Sequence, residues 1–338
     1  MRSHQWTPTA LLGLLAVALA ACGDDTSQCS AAFRVGVAYD VGGIGDQSFN
    51  DAAHAGLQQA IDDGLVDAAC TTTNQVNDAG SNRAANVRAL AAGGRDLVIG
   101  VGFAFSADIA AAAPAHPDSN FMVVDGAAES PHVADYVFRD NEGSFLVGAA
   151  AALTCDCDTV GFLGGQTIPV IGGFQAGYAA GARAVRPDVT VLVRYIGDDP
   201  SAFNDPAAAA TLANAMYDGG AQVIYHAAGG SGRGLFSAAA ARNRWAIGVD
   251  SDQYLTAPAE QRPRILTSML KRVDTAVYEA IRATRAGSFS TGQRVFGLAE
   301  NGVGYATSNP ALTGEVIAAL EIYRQQIISG AIVVPIAP

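Results

Sequence analysis

The sequence predicts an α/β protein made of two units, each a parallel β-sheet with helices packed against it. Short runs rich in β-branched residues alternate with alanine-rich helical stretches in the first third of the chain, and the alternation restarts near residue 159. Such alternation is typical of βαβ units, whose strands run parallel. No linker rich in proline or serine separates the units, which favours two lobes joined by crossover strands.

The N-terminal segment has the order of a secretory signal. Arg2 precedes the apolar run ALLGLLAVALA at residues 10–20, which is too short to span a bilayer, because a spanning helix needs about 20 apolar residues. LAAC, ending at Cys22, resembles the lipobox of bacterial lipoproteins, in which this cysteine carries the lipids. We therefore expect residues 1–21 to be a signal peptide and residues 22–32 the lipidated cysteine and its tether. An ordinary signal peptide cut near Ala21 is the alternative.

The remaining cysteines are Cys29, Cys70, Cys155 and Cys157, an even number in an exported chain. An oxidising compartment makes two disulfides the expected state of such a set. We predict a bond between Cys29 and Cys70, since one precedes the first strand and the other begins the neighbouring second strand. Cys155 and Cys157 then pair within a tight loop. Metal binding is the weaker interpretation, because CDC lacks the two-residue spacer of common zinc sites.

Charge and motif content exclude several classes of function. The formal net charge is -12 and the arginines are scattered, whereas nucleic-acid binding calls for clustered basic residues. GGSGRG, at residues 229–234, is a weak likeness to a phosphate loop because GKS or GKT is missing. The chain contains no GxSxG elbow, and its five histidines show no partner spacing. We expect no cofactor and no metal.

The strands and helices can be placed in order. Strands are predicted in the first unit at 34–41, 96–102, 120–125 and 135–140, with helices at 48–63, 80–93 and 105–114 between them. Strands follow in the second unit at 159–165, 190–197, 221–228 and 245–252. We assign residues 33–138 plus about 264–293 to lobe 1, and residues 139–263 plus about 294–338 to lobe 2. The apolar strand RILTSML, at 264–270, is thereby predicted in lobe 1.

Polar residues cluster where several strands end. Asp40, Asp125 and Asp250 each stand at the end of a predicted strand, and Lys271 follows the strand at 264–270. Ligands of open parallel sheets bind at the carboxyl ends of the strands, so these side chains indicate a binding cleft. Lys271 is the single lysine beside nineteen arginines. A compact ammonium on a flexible stem differs from a planar guanidinium fork, which favours a specific role for this lysine.

Five stretches resemble, in order, the basic membrane protein family of substrate-binding lipoproteins, which includes the purine nucleoside receptor type. They are VGVAYDVGGIGDQSFNDAAHAGL, YIGDDPSAFNDPA, IYHAAGGSGRGLF, AIGVDSDQ and LTSMLKRVDTAVYEAI. The resemblance spans about residues 33–336. It implies two Rossmann-like lobes of the periplasmic binding protein type I fold. It also implies a lipid-anchored monomer on the outer side of the cell membrane that passes a nucleoside to an ABC permease and its ATPase.

Two alternatives to import remain open at the level of sequence. A sensor of the same fold would signal ligand occupancy to a membrane receptor. A nucleoside-cleaving enzyme would need a positioned acid or base.

The resemblance assigns the residues that would hold the base. Phe49 and Phe203 would stack on it from the two lobes, and Asn50 and Asp125 would meet its polar atoms. Aromatic faces and amide or carboxylate partners suit a neutral heterocycle. The alternative is that the two phenylalanines are core residues and that the polar residues serve as caps or turns.

The resemblance also assigns the first-lobe wall and the sugar site. Asp40 and Ser48 would shape the wall on lobe 1. Gly230 would present its backbone to the sugar. Asp250 and Lys271 would bind the ribose hydroxyls, with the ammonium pairing with that carboxylate.

Overall fold

Two parallel-type sheets form the centres of two lobes in the computed structural model, which describes residue 1, residue 29 and residues 32–338. The predicted signal peptide, Cys22 and most of the predicted tether lie outside the described residues. Within the described part of the chain, no helix is long and apolar enough to cross a membrane.

The chain first builds most of lobe 1. Its five strands here are β1 (Val35–Tyr39), β2 (Thr71–Gln75), β3 (Leu97–Val101), β4 (Asn120–Val124) and β5 (Val133–Phe138). Its helices are α1 (Phe49–Asp62), α2 (Arg83–Ala92) and α3 (Ser106–Ala112). All five residues of β1 and of β3 are buried. Parallel strands covered by helices on both faces have this continuous apolar character, which explains why the β-branched runs were visible in the sequence.

The chain then builds lobe 2. Its helices are α4 (Asp140–Thr154), α5 (Pro169–Val185), α6 (Pro206–Asp218), α7 (Gly232–Arg242) and the short α8 (Gln253–Thr256). Its strands are β6 (Thr159–Gln166), β7 (Thr190–Gly197), β8 (Val223–Ala227), β9 (Trp245–Asp250) and β10 (Ile265–Lys271). The C-terminal part adds α9 (Val273–Arg285), β11 (Gly292–Phe296), β12 (Val303–Tyr305) and α10 (Gly314–Ile328).

The strand order shows that the chain crosses between lobes three times. The described residues form one six-stranded sheet in the order β11-β5-β4-β3-β1-β2 and another in the order β12-β10-β9-β8-β6-β7. The neighbours are parallel throughout, except that β10 and β12 are antiparallel. Crossovers therefore follow β5, β10 and β11, and a cleft lies between the two sheets. The predicted α/β fold of two lobes is confirmed.

One part of the predicted lobe boundaries is wrong. The strand at 265–271 was expected in lobe 1, yet β10 pairs with β9 in the sheet of lobe 2. An apolar run fits either sheet, and β10 takes the open place beside β9 before the chain leaves lobe 2. The crossing comes after Lys271, where α9 buries Val277 and Ile281 in the lobe 1 core. Lobe 1 then continues through β11, beyond the predicted limit near residue 293.

Glycines let α4 and α5 touch backbone to backbone. A Cβ atom added to Gly148 or Gly177 would lie 2.1 Å from a carbonyl oxygen of the other helix, and one added to Gly181 would lie 1.9 Å from the oxygen of Phe145. No real side chain tolerates such distances, so the two helices approach this closely only because glycine stands at these positions. This contact sets how closely α4 and α5 pack.

The structure places the four cysteines in the predicted pairs. The α-carbons of Cys29 and Cys70 are 5.4 Å apart, and those of Cys155 and Cys157 are 5.1 Å apart. Both values lie within the usual range for a disulfide. We expect peptide mapping without reduction to recover Cys29 and Cys70 in one cross-linked species, which separates into two peptides after reduction. Free thiols at these two positions would rule the bond out.

Candidate ligand-binding site

A cavity of about 310 Å³ lies between the lobes, at the carboxyl ends of the parallel strands. Its size falls at the lower end for pockets that enclose small organic molecules. Seven of the predicted site residues line it: Asp40, Phe49, Asn50, Asp125, Phe203, Asp250 and Lys271. Four of them, Asp40, Asp125, Asp250 and Lys271, were predicted from their place at strand ends, and the family resemblance implied the other three.

Two aromatic side chains enter the cavity from opposite lobes. Phe49 begins α1 in lobe 1, and Phe203 ends a short 3-10 turn, Pro200–Phe203, in lobe 2. Both are half-buried. A Cβ atom on Gly165 would lie 2.4 Å from the Phe203 ring, so the glycine leaves room for that ring to lie against β6. Together the phenylalanines offer one aromatic face per lobe to a planar ligand.

Lys271 is buried at the point where the chain crosses from lobe 2 to lobe 1. Its side chain is 1% exposed, and its Nζ lies 2.5 Å from Oδ2 of Asp125 and 3.1 Å from Oδ1 of Asp140. Asp125 follows β4 of lobe 1, whereas Asp140 opens α4 directly after another crossover. The ammonium therefore joins both lobes and two crossover segments.

Three aromatic rings surround the same ammonium. The ring centroids of Phe49, Phe138 and Phe174 lie 5.3, 5.1 and 5.2 Å from Nζ of Lys271. A cation at such distances is attracted by the negative face of each ring, and more strongly when water is excluded. This enclosure favours a compact ammonium over the wider guanidinium of arginine.

The pKa values show how strongly the charges depend on one another. Burial opposes the charge of Lys271, yet the carboxylates of Asp125 and Asp140 raise the pKa of its ammonium above the usual value. Burial raises the pKa of both carboxyl groups, and the charge of Lys271 opposes this rise. Burial also raises the pKa of Asp250 to about 6, against the opposing effects of Lys271 and Ser48. The ammonium therefore stays charged among several carboxyl groups.

The predicted pairing of Lys271 with Asp250 is wrong. Lys271 forms its ion pairs with Asp125 and Asp140, while Asp250 accepts a hydrogen bond of 2.5 Å from Oγ of Ser48. The reason is topological, since β10 lies beside β9 in one sheet and Lys271 extends past it toward the crossovers. Asp250 still faces the cavity, where it can accept from a ligand hydroxyl.

Ser48 lies behind the cavity wall, fully buried, and contacts the ligand space only through Asp250. Although it stands at the N-cap position of α1, its side chain makes no cap bond. Asp46 caps the helix instead, because its carboxylate accepts from the backbone N–H groups of Ser48 and Asn50 at 2.8 and 2.9 Å.

Asn50 lines the cavity, but most hydrogen-bonding groups of its amide are bonded to other residues of the protein. Its Oδ1 accepts from the backbone N–H of Asp40 at 2.9 Å, and its Nδ2 donates to Asp46 and to the Val41 carbonyl. Both N–H groups of the amide are thereby used. Asn50 holds the loop after β1 in place and offers a ligand only a remaining acceptor lone pair.

The glycine turn after β8 meets the cavity one residue earlier than predicted. Gly229 lines the cavity, whereas the carbonyl of Gly230 accepts from Nε of Arg233 at 3.0 Å. In this turn Gly229, whose φ of +53° suits glycine, faces the cavity, and Gly230, the residue predicted to do so, does not line it.

Sequence reasoning missed several lining residues. Gln166 is the last residue of β6, so the strand-end signal that found Asp250 also applied to it. Arg83 and Phe174 lie on helices. The sequence contains no comparable signal for how a helix is rotated about its axis, and this rotation decides which of its side chains face the cavity. Asp140 was missed because its contact with Lys271 depends on two crossovers meeting.

Further contacts close the mouth of the cleft. The carbonyl of Gln47, in lobe 1, accepts from Nε2 of Gln253 at 2.9 Å and from Oγ of Ser251 at 3.2 Å. The carbonyl of Gly45 accepts from Nη1 of Arg233 at 3.3 Å. Lobe 2 supplies all three donors, so the structure is the closed arrangement of the two lobes.

Two α/β lobes, three crossovers and a closed cleft lined by aromatic and charged groups are the features of the two-lobed class of small-molecule-binding proteins. The chain belongs to the Bmp family, described as ABC transporter substrate-binding protein PnrA-like, whose family model matches residues 33–337. The predicted family is thus confirmed. Membership makes this a substrate-binding protein that takes a small-molecule ligand and works with an ABC transporter.

Relatives and solved structures agree with this family. The CD4+ T-cell-stimulating antigen of Listeria innocua is 35% identical over 331 residues, covering 94% of this chain and 91% of the relative. The ABC transporter nucleoside-binding protein BmpA of Lactococcus lactis is 35% identical and covers 89% of each chain. A solute-binding protein of an ABC transporter system from Aeropyrum pernix gives a TM-score of 0.78 at 29% identity, covering 90% of this chain and 94% of that one.

Proposed function

We propose that this protein captures a purine nucleoside between its lobes and delivers it to the permease of an ABC importer. The observation that carries the proposal is the pair of aromatic side chains, Phe49 and Phe203, that enter one closed cavity from opposite lobes. A heterocyclic base has two flat faces, and this arrangement offers a ring to each. The nucleoside-binding name of the Lactococcus lactis relative supports the same ligand class.

The polar end of the cavity suits a ribose. Asp250 accepts from sugar hydroxyls, and Lys271 donates to hydroxyl oxygens with the N–H groups not used by its carboxylate partners. Each residue is already tied to lobe 1, Asp250 through Ser48 and Lys271 through Asp125. A sugar bound here therefore adds contacts to a closed arrangement, and ligand affinity favours closure over the open state.

The protein performs no chemistry on its ligand in this proposal, and it acts as a monomer. A lipid on Cys22 holds it on the outer side of the membrane. Uncharacterized lipoproteins of Pyrococcus abyssi and Pyrococcus furiosus are among its relatives, which supports an anchored protein. Recovery of the protein from the soluble fraction of cells, and not from membranes, would contradict the anchor.

Phe49→Ala tests the proposal directly. Calorimetric titration with inosine, guanosine and adenosine should show binding to the wild type. The binding free energy of the variant should be weaker by about 1–3 kcal/mol, which is the usual contribution of stacking a base on an aromatic ring. Phe289→Ala is the matched control, since Phe289 is a half-buried phenylalanine of lobe 1 outside the cavity lining.

Thermal unfolding of both variants separates binding from folding. If Phe49→Ala unfolds early and the remaining folded protein binds as the wild type does, Phe49 is a core residue. If the wild type binds no nucleoside, the proposed ligand class is wrong.

A further inference from the structure

Arg83 is a cation on the cavity wall that takes no part in the proposed contacts with the base or the ribose. It is the first residue of α2 and its side chain is 14% exposed. Its Nε and Nη2 donate to Oδ1 of Asp40 at 2.9 and 2.5 Å, and its Nη1 donates to the carbonyl of Gly80 at 3.3 Å. Three hydrogen bonds therefore hold the guanidinium in one orientation.

Arg83 and Asp40 together still have hydrogen-bond donors and an acceptor that a ligand could use. A guanidinium has five N–H groups, so one remains on Nη1 and one on Nη2. Oδ1 of Asp40 also accepts from the backbone N–H of Val41 at 2.8 Å. Oδ2 accepts no hydrogen bond from any residue that the structure describes. The cavity wall thus carries N–H donors beside an unused carboxylate oxygen.

This pair lies next to the edge of the Phe49 ring. A Cβ atom built on Gly102 would be 3.0 Å from Oδ2 of Asp40 and 3.6 Å from Cε1 of Phe49, so both atoms surround one small space. Gly102, with φ of +118°, keeps that space open. A flat base stacked on Phe49 therefore presents its edge to Asp40 and Arg83.

We propose that Arg83, held by Asp40, reads the edge of the base and makes the protein prefer 6-oxopurine nucleosides to adenosine. This inference rests on the proposed nucleoside function. O6 of inosine or guanosine accepts from Arg83, and the neighbouring N1–H donates to Oδ2 of Asp40. In nucleic-acid recognition, arginine likewise donates to O6 of guanine, there together with N7.

Adenosine has the opposite donor and acceptor pattern at these two positions of the base. Its 6-amino group turns N–H donors toward the donors of Arg83, and its N1 turns a lone pair toward the carboxylate oxygen. Because Asp250 and Lys271 hold the sugar in the proposed function, the base cannot turn over without losing those contacts. A site that hydrogen-bonds one edge rejects an analogue that leaves its polar groups unpaired.

Inosine and adenosine test the inference, since they differ at the 6-position and at the N1 proton. By calorimetric titration, we expect the wild type to bind inosine at least about fivefold more tightly than adenosine. Arg83→Gln should lower the ratio of the two dissociation constants clearly, to the part of the preference that Asp40 supplies alone. Arg88→Gln is the matched control, because Arg88 is an exposed arginine on the same helix, and it should keep the wild-type ratio.

Three results would overturn the inference. They are equal affinities in the wild type, a preference that Arg83→Gln leaves undiminished, and a preference that Arg88→Gln lowers as well. If Arg83→Gln does not fold, Arg83→Lys keeps the charge without the planar fork and should also lower the preference. A wild type that binds neither nucleoside refutes the proposed function itself, whereas equal binding of both refutes only the role of Arg83.

Discussion

Replacing Lys271 with methionine is expected to lower the free energy of unfolding by about 3–5 kcal/mol, as the loss of one partner from a buried ion pair does. The side chains of Asp125 and Asp140 are only 10% and 7% exposed, so water screens the charges that remain only weakly. Asp125 and Asp140 would be left buried without a cation, and the methionine would fill the space without a charge. Chemical denaturation of the two proteins measures the difference.

A combined variant shows whether the loss comes from unpaired charge. Lys271→Met together with Asp125→Asn and Asp140→Asn removes all three charges and should recover much of the lost stability, because uncharged replacements of similar volume avoid the cost of buried ions. Its nucleoside affinity should stay low. A single variant as stable as the wild type would show that the cluster contributes little to folding.

Gly181→Ala is expected to destabilise the protein by about 1–3 kcal/mol or more, as overpacking of a core does. The new methyl group would lie 1.9 Å from the carbonyl oxygen of Phe145, so α4 and α5 must separate. Gly173→Ala is the matched control on the same helix, because its added Cβ would be 3.6 Å from the nearest atom, the Ile336 oxygen. That change should be neutral or stabilise by up to about 1 kcal/mol, from helix propensity alone.

Denaturant midpoints of the two variants decide the matter. Equal effects of the two alanines would mean that the interface between α4 and α5 relaxes without cost. If Gly181→Ala also weakens ligand binding, the helix contact positions Phe174 at the cavity as well as stabilising lobe 2.

The sequence predicted the strands and their carboxyl ends well, for a physical reason. Buried parallel strands require continuous apolar runs, and a polar residue directly after such a run has few places to lie except the sheet edge. Asp40, Asp125, Asp250 and Lys271 all meet this condition, and all four line the cavity.

The sequence could not predict which lobe receives a strand or which carboxylate receives a cation. β10 is an apolar run that either sheet would accept, and its place was settled by the vacancy beside β9. The partners of Lys271 depend on the lobe in which β10 lies, because that placement decides which crossover segments come close to this lysine. The wrong lobe for residues 265–271 and the wrong partner for Lys271 therefore have the same origin.

Helix residues of the site were missed for another reason. Arg83 and Phe174 reach the cavity through the rotation and start of their helices. The position of α5 depends on the backbone contact of Gly148, Gly177 and Gly181 with α4, which forms only when the two helices pack. Small residues in a helix are equally compatible with an exposed face, so the pattern alone did not indicate the contact.

The single buried lysine gives the protein an internal chemical reporter. An amine-reactive reagent has one side chain to modify in this sequence, and in the closed arrangement that amine is enclosed by two carboxylates and three rings. Acylation of Lys271 therefore requires the lobes to part, and its rate follows the population of opened molecules. Mass spectrometry of the acylated protein therefore measures how often the cleft opens, and how much a bound solute slows the opening, without any engineered label.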